Sequence, residues 1–481
     1  MEGLKSKATI SILWNTFEKF SVKGGQFVIG IILARLLLPE DFGLIGMLSI
    51  FLAISQAFIT SGMGSGLIQK KNRTNDDFST VFVFNVVVSV LFYAVLYVLA
   101  PLIADFFETS RLVLITRVLT LNIVVNSLSN VQRTWLVIDL DFKTTAIINV
   151  VSVIVSGCLG IYFAYIGYGV WALVLRNLFG SIISVFIFWF IVKWKPSFRF
   201  SIQSFKELFG FGSKILLASI IGQVFNNVYN VFVGKAFSAN VLGYYTTAEK
   251  YSDLLAQSIS SVTQQVTYPI LASLQDDKER MVSVYKRLIH MTVFFIFPVM
   301  TLLSLLADPF VRIFLTDKWA SVVPLLKWMA FAKVFYPIKV INTNILNANG
   351  RSDLFLKVDL VQIPLLILMI LVTIPLGLKA IVIGHVIISF LSFIINAYVS
   401  GKLCGYGVYD QLKDLLFYTV ATIVMAVVVY YSISFIQSYY LKLIIGCFSG
   451  LVSYVTVCYF LKVKELKEVS DFLSVLKNKI T

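Results

Sequence analysis

Long apolar stretches, each separated from the next by a short polar connection, run along almost the whole chain. Their limits fall near 10–36, 41–63, 78–104, 111–136, 144–167, 169–192, 207–236, 240–270, 281–306, 320–347, 353–375, 377–400, 411–435 and 440–461. Roughly 20 mainly apolar residues suffice to cross a hydrocarbon core, so the pattern predicts about fourteen transmembrane helices. It lacks the alternation over about ten residues expected of a membrane β-strand. The expected fold is therefore an all-α polytopic membrane protein. The first, fourth, seventh, eighth and tenth stretches carry polar or charged residues mid-span. An even number of spans places both termini on one side.

The corner between the first two spans is the most informative stretch. Pro39-Glu40-Asp41 reads as a turn at a membrane surface, because a proline and two acids do not sit in lipid. Gly62, Gly64 and Gly66 read as the break that ends the second span, and Lys70, Lys71 and Arg73 as the opposite surface. The corner has an echo: Ala34-Arg35-Leu36 … Phe42-Gly43-Leu44 corresponds to Gly234-Lys235-Ala236 … Leu242-Gly243-Tyr244. Leu99-Ala100-Pro101-Leu102 and Leu306-Ala307-Asp308-Pro309-Phe310 end the third and ninth spans in the same way. Their order and spacing suggest two six-helix lobes in parallel pseudo-repeat, a transporter device with the substrate path between the halves. The lobes would be 1–195 and 207–402, joined by a basic cytoplasmic linker at 196–206. Helices 13 and 14 (403–463) and an amphipathic cytoplasmic tail (464–481) are left over. In the tail, Leu466, Val469, Phe472, Leu473, Val475 and Leu476 alternate with charged residues.

Composition agrees with the pattern: 58% of the 481 residues are hydrophobic and 14% charged, against about 25% charged in soluble domains. The formal net charge of +15 would suggest nucleic acid in a soluble chain. Here the Lys and Arg are scattered over short loops with no basic arm, which reads as positive-inside topology and attraction to anionic lipid. Lys5 and Lys7, the 70–73 loop, Arg133 and Lys143, the linker, Lys278 and Arg280, Arg351 and Lys357, Lys402 and Lys413, and the tail all fall on one side. Far fewer basic residues fall on the other. Both termini are expected to be cytoplasmic, in a bacterial inner membrane. Cys158, Cys404, Cys447 and Cys458 lie in or beside apolar spans and form no C-x-x-C pair, so neither disulfide nor metal is expected. The N-terminus has no clean cleavage site and reads as a retained first helix.

Catalytic patterns are missing. There is no P-loop and no H-E-x-x-H motif, and no connection is long enough to hold a catalytic domain, so the chain is not expected to be an enzyme. Asp139-Leu140-Asp141 resembles a metal-binding D-x-D but reads as a solvated turn. What stands out is charge inside the spans, where an ionisable group costs several kcal/mol unless it faces a cavity or a partner. Lys19 and Lys23 lie in the first span, Arg176 in the sixth, Lys214 in the seventh, Lys250 in the eighth, and Lys333 and Lys339 in the tenth. Single cations near span ends can snorkel to the surface. These seven, spread over both halves, read better as a water-filled cationic cavity that binds an anionic substrate. Glu18, Glu249 and Asp253 are their charge partners or carry a coupling ion; Glu249 and Asp253, four apart, share a helix face. Arg117, Arg133, Lys286, Arg287, His290, Lys327, Lys357 and Asp359 are further charged residues within the spans. Amides such as Asn15, Asn85, Asn130, Gln132, Asn230, Gln265 and Asn342 could line a wet path suited to sugar hydroxyls, or hydrogen-bond helices together.

The stretches LARLLLPEDFGLIGMLSIF (33–51), SGMGSGLIQKKNRTNDDFSTVFVFN (61–85), LAPLIADFFE (99–108), DLDFKTTAIINV (139–150), IGYGVWALVLRNL (166–178) and LGYYTTAEKYSDLL (242–255) together resemble one family. It is the polysaccharide-transporter (Wzx-type flippase) family of the multidrug/oligosaccharidyl-lipid/polysaccharide exporter superfamily, closest to its colanic-acid and teichuronic-acid branch. The resemblance covers the first twelve spans; helices 13 and 14 match in number and hydropathy only. It implies two V-shaped lobes and alternating access that carries an undecaprenyl-diphosphate-linked oligosaccharide from the cytoplasmic to the outer leaflet, for surface polysaccharide biosynthesis. It also implies a basic central cavity, to which Lys19, Lys23 and Lys250 correspond in kind.

The reading that follows is a flippase whose partners are the lipid-linked oligosaccharide and membrane lipids, with a polysaccharide polymerase and glycosyltransferases as further partners. No cofactor is expected; a coupling ion, H+ or Na+, is left open. A cation-coupled multidrug antiporter of the same superfamily is the alternative, although a net-positive cavity repels cationic drugs. A lipid II flippase is a second alternative, and a membrane glycan polymerase or transferase a third.

Overall fold

A computed structural model describes residues 2–60 and 62–480 and, within them, every side chain except those at 2–13, 60, 211, 262, 265–266, 268–269, 272, 352, 355–356, 472–473 and 475–480. Lys5, Lys7 and Gln265, and in the tail Phe472, Leu473, Val475 and Leu476, therefore lie outside the described side chains. No strand occurs among the described residues. The helices are α1 (Glu2–Leu36), α2 (Pro39–Met47), α3 (Ser49–Thr60), α4 (Met63–Gln69), α5 (Asn75–Phe106), α6 (Leu112–Ile138), α7 (Phe142–Tyr165), α8 (Val170–Ile191), α9 (Ile202–Ala236) and α10 (Ala239–Ser273). They continue with α11 (Lys278–Leu305), α12 (Ala307–Phe314), α13 (Val322–Lys333), α14 (Tyr336–Ala348), α15 (Ser352–Thr373), α16 (Leu378–Cys404), α17 (Val408–Ser434), α18 (Tyr439–Phe460) and α19 (Lys464–Ile480).

Among the described residues, 11 helical stretches are long and apolar enough to cross a membrane. The other three predicted spans fall on α1, on α10 and on the α13–α14 pair. These are the helices that carry Glu18, Lys19 and Lys23; Glu249, Lys250 and Asp253; and Lys333 and Lys339. Large apolar side chains face outward on the spanning helices, for example Phe417 at 55%, Ile423 at 57% and Phe448 at 69% exposed. Contiguous apolar surface of this kind is rare on soluble monomers and is what lipid contact requires. The protein is a multi-pass membrane protein.

Three local readings are corrected by the structure. Pro39, Glu40 and Asp41 do not form a turn; they are the first turn of α2. Proline suits that position because its missing N–H is an orphan there anyway. Asp41 caps the helix by accepting from the Leu38 N–H at 2.9 Å, and both acids favour the positive end of the dipole. Gly64 and Gly66 do not make a loop but sit inside α4. Gly66 admits α9, because a Cβ there would lie 3.2 Å from the Leu208 carbonyl oxygen. The tenth span is broken into α13 and α14 at Val334–Phe335. Pro337, in the first turn of α14, has no N–H for the Lys333 carbonyl four residues back and its ring crowds that carbonyl, so the helix does not run on unbroken.

The helices up to Thr246 form one compact unit and those from Thr247 a second. In the first, α1 packs on α7, α7 on α8, and α6 on both α5 and α8, while α9 lies along α3 and α4. The two echoing corners meet here. A Cβ at Gly43 would overlap the Ala239 carbonyl and lie 3.0 Å from the Gly243 nitrogen. A Cβ at Gly243 would overlap the Pro39 carbonyl and lie 3.2 Å from the Gly43 nitrogen. The contact is reciprocal and backbone to backbone, which only glycine permits. The linker segment and Trp194 just before it are pinned to the same unit. The Trp194 indole donates to Asn75 Oδ1 at 2.7 Å, and the Ser201 N–H donates to Thr80 Oγ1 at 3.0 Å. Lys70 bridges Asp77 and Glu207, both at 2.9 Å. Burial pulls the Lys70 ammonium down, but hydrogen bonds to Glu207 and Asp77 outweigh this and hold it above its usual range.

In the second unit α16 receives α13, α14 and α15, and α17 with α18 packs on α11 and α12. Gly450 of α18 admits Leu302, which a Cβ would approach to 2.6 Å. A buried polar knot joins Tyr285 to Asn342 at 2.6 Å, to Ser400 at 3.0 Å and to Gln411 at 3.1 Å, so Asn342 ties helices together. The tail helix α19 docks through Glu465, which His290 approaches at 3.5 Å while its other ring nitrogen meets Asp414 at 3.1 Å.

Candidate functional site: charged residues within the spans

In the first unit α1 presents Glu18, Lys19 and Lys23 along one stretch. Lys19 is exposed, and Glu18 and Lys23 are half-buried. Their helix is held close to α7 because Gly157 leaves room for Ile29; a Cβ at Gly157 would overlap it. Glu18 accepts a hydrogen bond from Asn149 Nδ2 of α7, and Asn149 Oδ1 accepts from Arg133 Nη2 of α6 at 3.5 Å. Arg176 of α8 lies with its stem over Gly160, where a Cβ would come within 2.9 Å of the Arg176 Cβ. Lys214 of α9 is exposed.

In the second unit the structure brings Lys333, Glu249 and Asp253 together. Lys333 Nζ lies 2.9 Å from Asp253 Oδ1 and 3.4 Å from Glu249 Oε1. The side chains of Lys333, Glu249 and Asp253 are 13%, 16% and 27% exposed. The position of Lys333 follows from Pro337, which ends α13 just beyond it. Lys250, the residue after Glu249, is exposed on another face of α10. Lys339 of α14 donates to Gln362 Oε1 at 2.8 Å and lies 3.7 Å from Asp359 Oδ1 of α15. Lys333 and Lys339 are thus ion-paired here.

One participant escaped the sequence reading: Asn149, detectable as a lone amide in an otherwise apolar span. Arg133 stands out in the sequence as a charge within the fourth span near its inner end, but its partner is decided by helix packing. Some amides have protein partners: Asn130 donates to the Ile59 carbonyl and Asn230 to Ser49 Oγ at 3.3 Å. Asn85 and Gln132 are buried with no hydrogen-bond partner among the described residues on either side-chain atom. Asp141 caps α7, accepting from the Thr144 N–H at 3.0 Å and its hydroxyl at 2.7 Å. Among the described residues no group of His, Cys, Asp and Glu has the arrangement of a metal site.

The helical architecture recurs in solved membrane transporters. The lipid II flippase MurJ in an inward closed conformation superposes with a TM-score of 0.75 at 17% identity, over 94% of this chain and 99% of that one. An inward-facing MATE family multidrug resistance transporter of the MOP superfamily gives 0.61 at 17% identity, over 82% and 98%. The fold is that of this class of helical membrane transporters.

The chain belongs to the polysaccharide biosynthesis protein family, whose pattern matches residues 32–324. Teichuronic acid biosynthesis protein TuaB of Bacillus subtilis (strain 168) is 25% identical over 308 residues, 62% of each chain; the match thus spans less than two thirds of that relative. Lipopolysaccharide biosynthesis protein WzxC of Escherichia coli (strain K12) is 21% identical over 403 residues, 83% of this chain and 82% of that one. Succinoglycan biosynthesis transport protein ExoT of Rhizobium meliloti (strain 1021) is 22% identical over 325 residues, 68% and 66%.

Proposed function

We propose that the protein is a flippase that translocates an undecaprenyl-diphosphate-linked oligosaccharide across a bacterial inner membrane by alternating access, for surface polysaccharide biosynthesis. The observation that carries this reading is the concentration of ionisable residues on α1, α10 and α13–α14 within an otherwise apolar helical protein of the polysaccharide biosynthesis family. Charges in the membrane mark substrate paths, and an excess of cations fits a diphosphate. In this reading 1–195 and 207–402 are two lobes that rock about the path, with both termini in the cytoplasm. Lys19, Lys23, Lys214 and Lys250 hold the diphosphate, and Arg176 and the polar amides line the way. Glu249 and Asp253 hold Lys333 in the empty state, and Asp359 holds Lys339. A coupling ion, H+ or Na+, would act by competing for those carboxylates. A polymerase and glycosyltransferases are the partners such a flippase serves.

The test is translocation of a lipid-linked oligosaccharide by the purified protein in liposomes. The triple variant Lys19→Ala/Lys23→Ala/Lys250→Ala is expected to fall at least about a hundredfold, as each charge-assisted contact is worth about 1.5–3 kcal/mol. Full activity of the triple variant would remove these residues from the site.

A further inference from the structure

Arg133 lies five residues before Ile138, the end of α6, or about 7.5 Å along the axis. Its guanidinium stands over the Phe188 ring of α8 at 5.6 Å and is exposed. Its one hydrogen bond among the described residues, to Asn149 Oδ1 at 3.5 Å, sits at the weak end of the range. A guanidinium offers five N–H donors in a planar fork that matches two phosphate oxygens at once. Glu18, the acid nearest to hand, does not take this fork: Asn149 stands between, donating to Glu18 on one side and accepting from Arg133 on the other. A neutral amide therefore keeps an acid and a base apart. Among the described side chains the other charged residues on these helices are cations: Lys19, Lys23 and Arg35 on α1, Arg117 on α6 and Lys143 on α7, the last over the Trp14 ring at 5.7 Å. Asp139 and Asp141 cap the α6 and α7 ends of the connection.

From this geometry we infer a loading site for the phosphate or diphosphate ester of a polyprenyl lipid between α1, α6 and α7. Arg133 receives the anion through its fork, Phe188 holds the guanidinium plane, and Glu18 is the resident negative charge that opposes binding. Asn149 is a positioning residue that sets the distance between the two. The inference rests on the flippase reading and adds to it: with the proposed topology this end of α6 faces the cytoplasm, so the lipid headgroup meets Arg133 on entry.

The experiment measures binding of undecaprenyl diphosphate to the full-length protein in nanodiscs, with undecaprenol and inorganic pyrophosphate as comparison ligands. Wild type is expected to prefer the diphosphate lipid to undecaprenol. Arg133→Gln weakens the diphosphate lipid by about tenfold or more, and Arg133→Lys, which keeps charge but not the fork, falls between. Glu18→Gln tightens it by roughly two- to fivefold, the worth of one screened charge. A purely structural pair would weaken on both sides, so the opposite signs identify the site, and Glu18→Gln and Arg133→Lys carry the test if Arg133→Gln does not fold. Inorganic pyrophosphate competes in wild type, more weakly than the lipid, and less well in Arg133→Lys; equal competition in the two overturns the assignment. Unchanged affinity in both Arg133 variants, or weaker binding by Glu18→Gln, overturns the site and leaves the flippase reading standing. Failure of wild type to distinguish the diphosphate lipid from undecaprenol overturns both.

Discussion

Lys333→Met is expected to be the most damaging single substitution in the second unit. The ammonium is shared by Asp253 at 2.9 Å and Glu249 at 3.4 Å, so its removal leaves two neighbouring carboxylates without a cation in a largely buried place. Breaking a buried pair from one side costs about 3–5 kcal/mol, far more than the net worth of the pair. A large drop in the melting temperature of the detergent-solubilised protein is the expected reading. The triple variant Lys333→Met/Glu249→Gln/Asp253→Asn should recover most of that loss, because no charge is then unpaired. Transport separates two roles. If Lys333 only neutralises the acids, the triple variant transports; if it also meets the headgroup, stability returns and transport does not. A Lys333→Met protein as stable as wild type would show that the ion pair contributes nothing to the fold.

Gly43→Ala and Gly243→Ala form the second test. Either new methyl would overlap a backbone carbonyl, that of Ala239 or that of Pro39. Backbone cannot rotate aside as a flexible side chain can, so the helices must separate. Overpacking of this kind costs about 1–3 kcal/mol and occasionally more. Both single variants should melt lower than wild type, and the double variant should lose less than the sum because one contact is lost only once. The controls are Gly24→Ala in α1 and Gly222→Ala in α9, where a Cβ would meet nothing within 4 Å. Alanine is a better helix former than glycine by about 1 kcal/mol, so these should be neutral or stabilising. Equal melting of Gly43→Ala and Gly24→Ala would refute the close approach.

The arrangement around Lys333 illustrates how far a linear pattern reaches. Glu249 and Asp253, four apart, place two acids on one face of α10 from sequence alone. That the cation between them is Lys333, eighty residues on, and not the adjacent Lys250 depends on how α13 ends. Helix periodicity turns Lys250 away, and Pro337 stops α13 where Lys333 can reach the acids. The corner at Pro39 shows the reverse case. Proline and two acids in a row signal a turn in a hydropathy profile, yet they are equally the signature of a helix N-terminus, and packing of α2 chose the helix. Gly66 marks the close approach of α9 at Leu208, which hydropathy has no means of registering.

By itself the sequence determined the class of the protein and the helical content of every predicted span, because burial in lipid demands long apolar helices whose backbone groups are satisfied internally. It also determined which helices would carry charge, since a polar residue in such a stretch is visible at once, and that the corner at Gly43 has a partner at Gly243. Only the tertiary structure decided that those two corners touch, that Lys333 and Lys339 are neutralised, and that Arg133 is kept from Glu18 by Asn149. Each of these depends on distances between helices far apart in the chain, and such distances are fixed by side-chain packing and glycine contacts that leave no periodic trace in a single sequence.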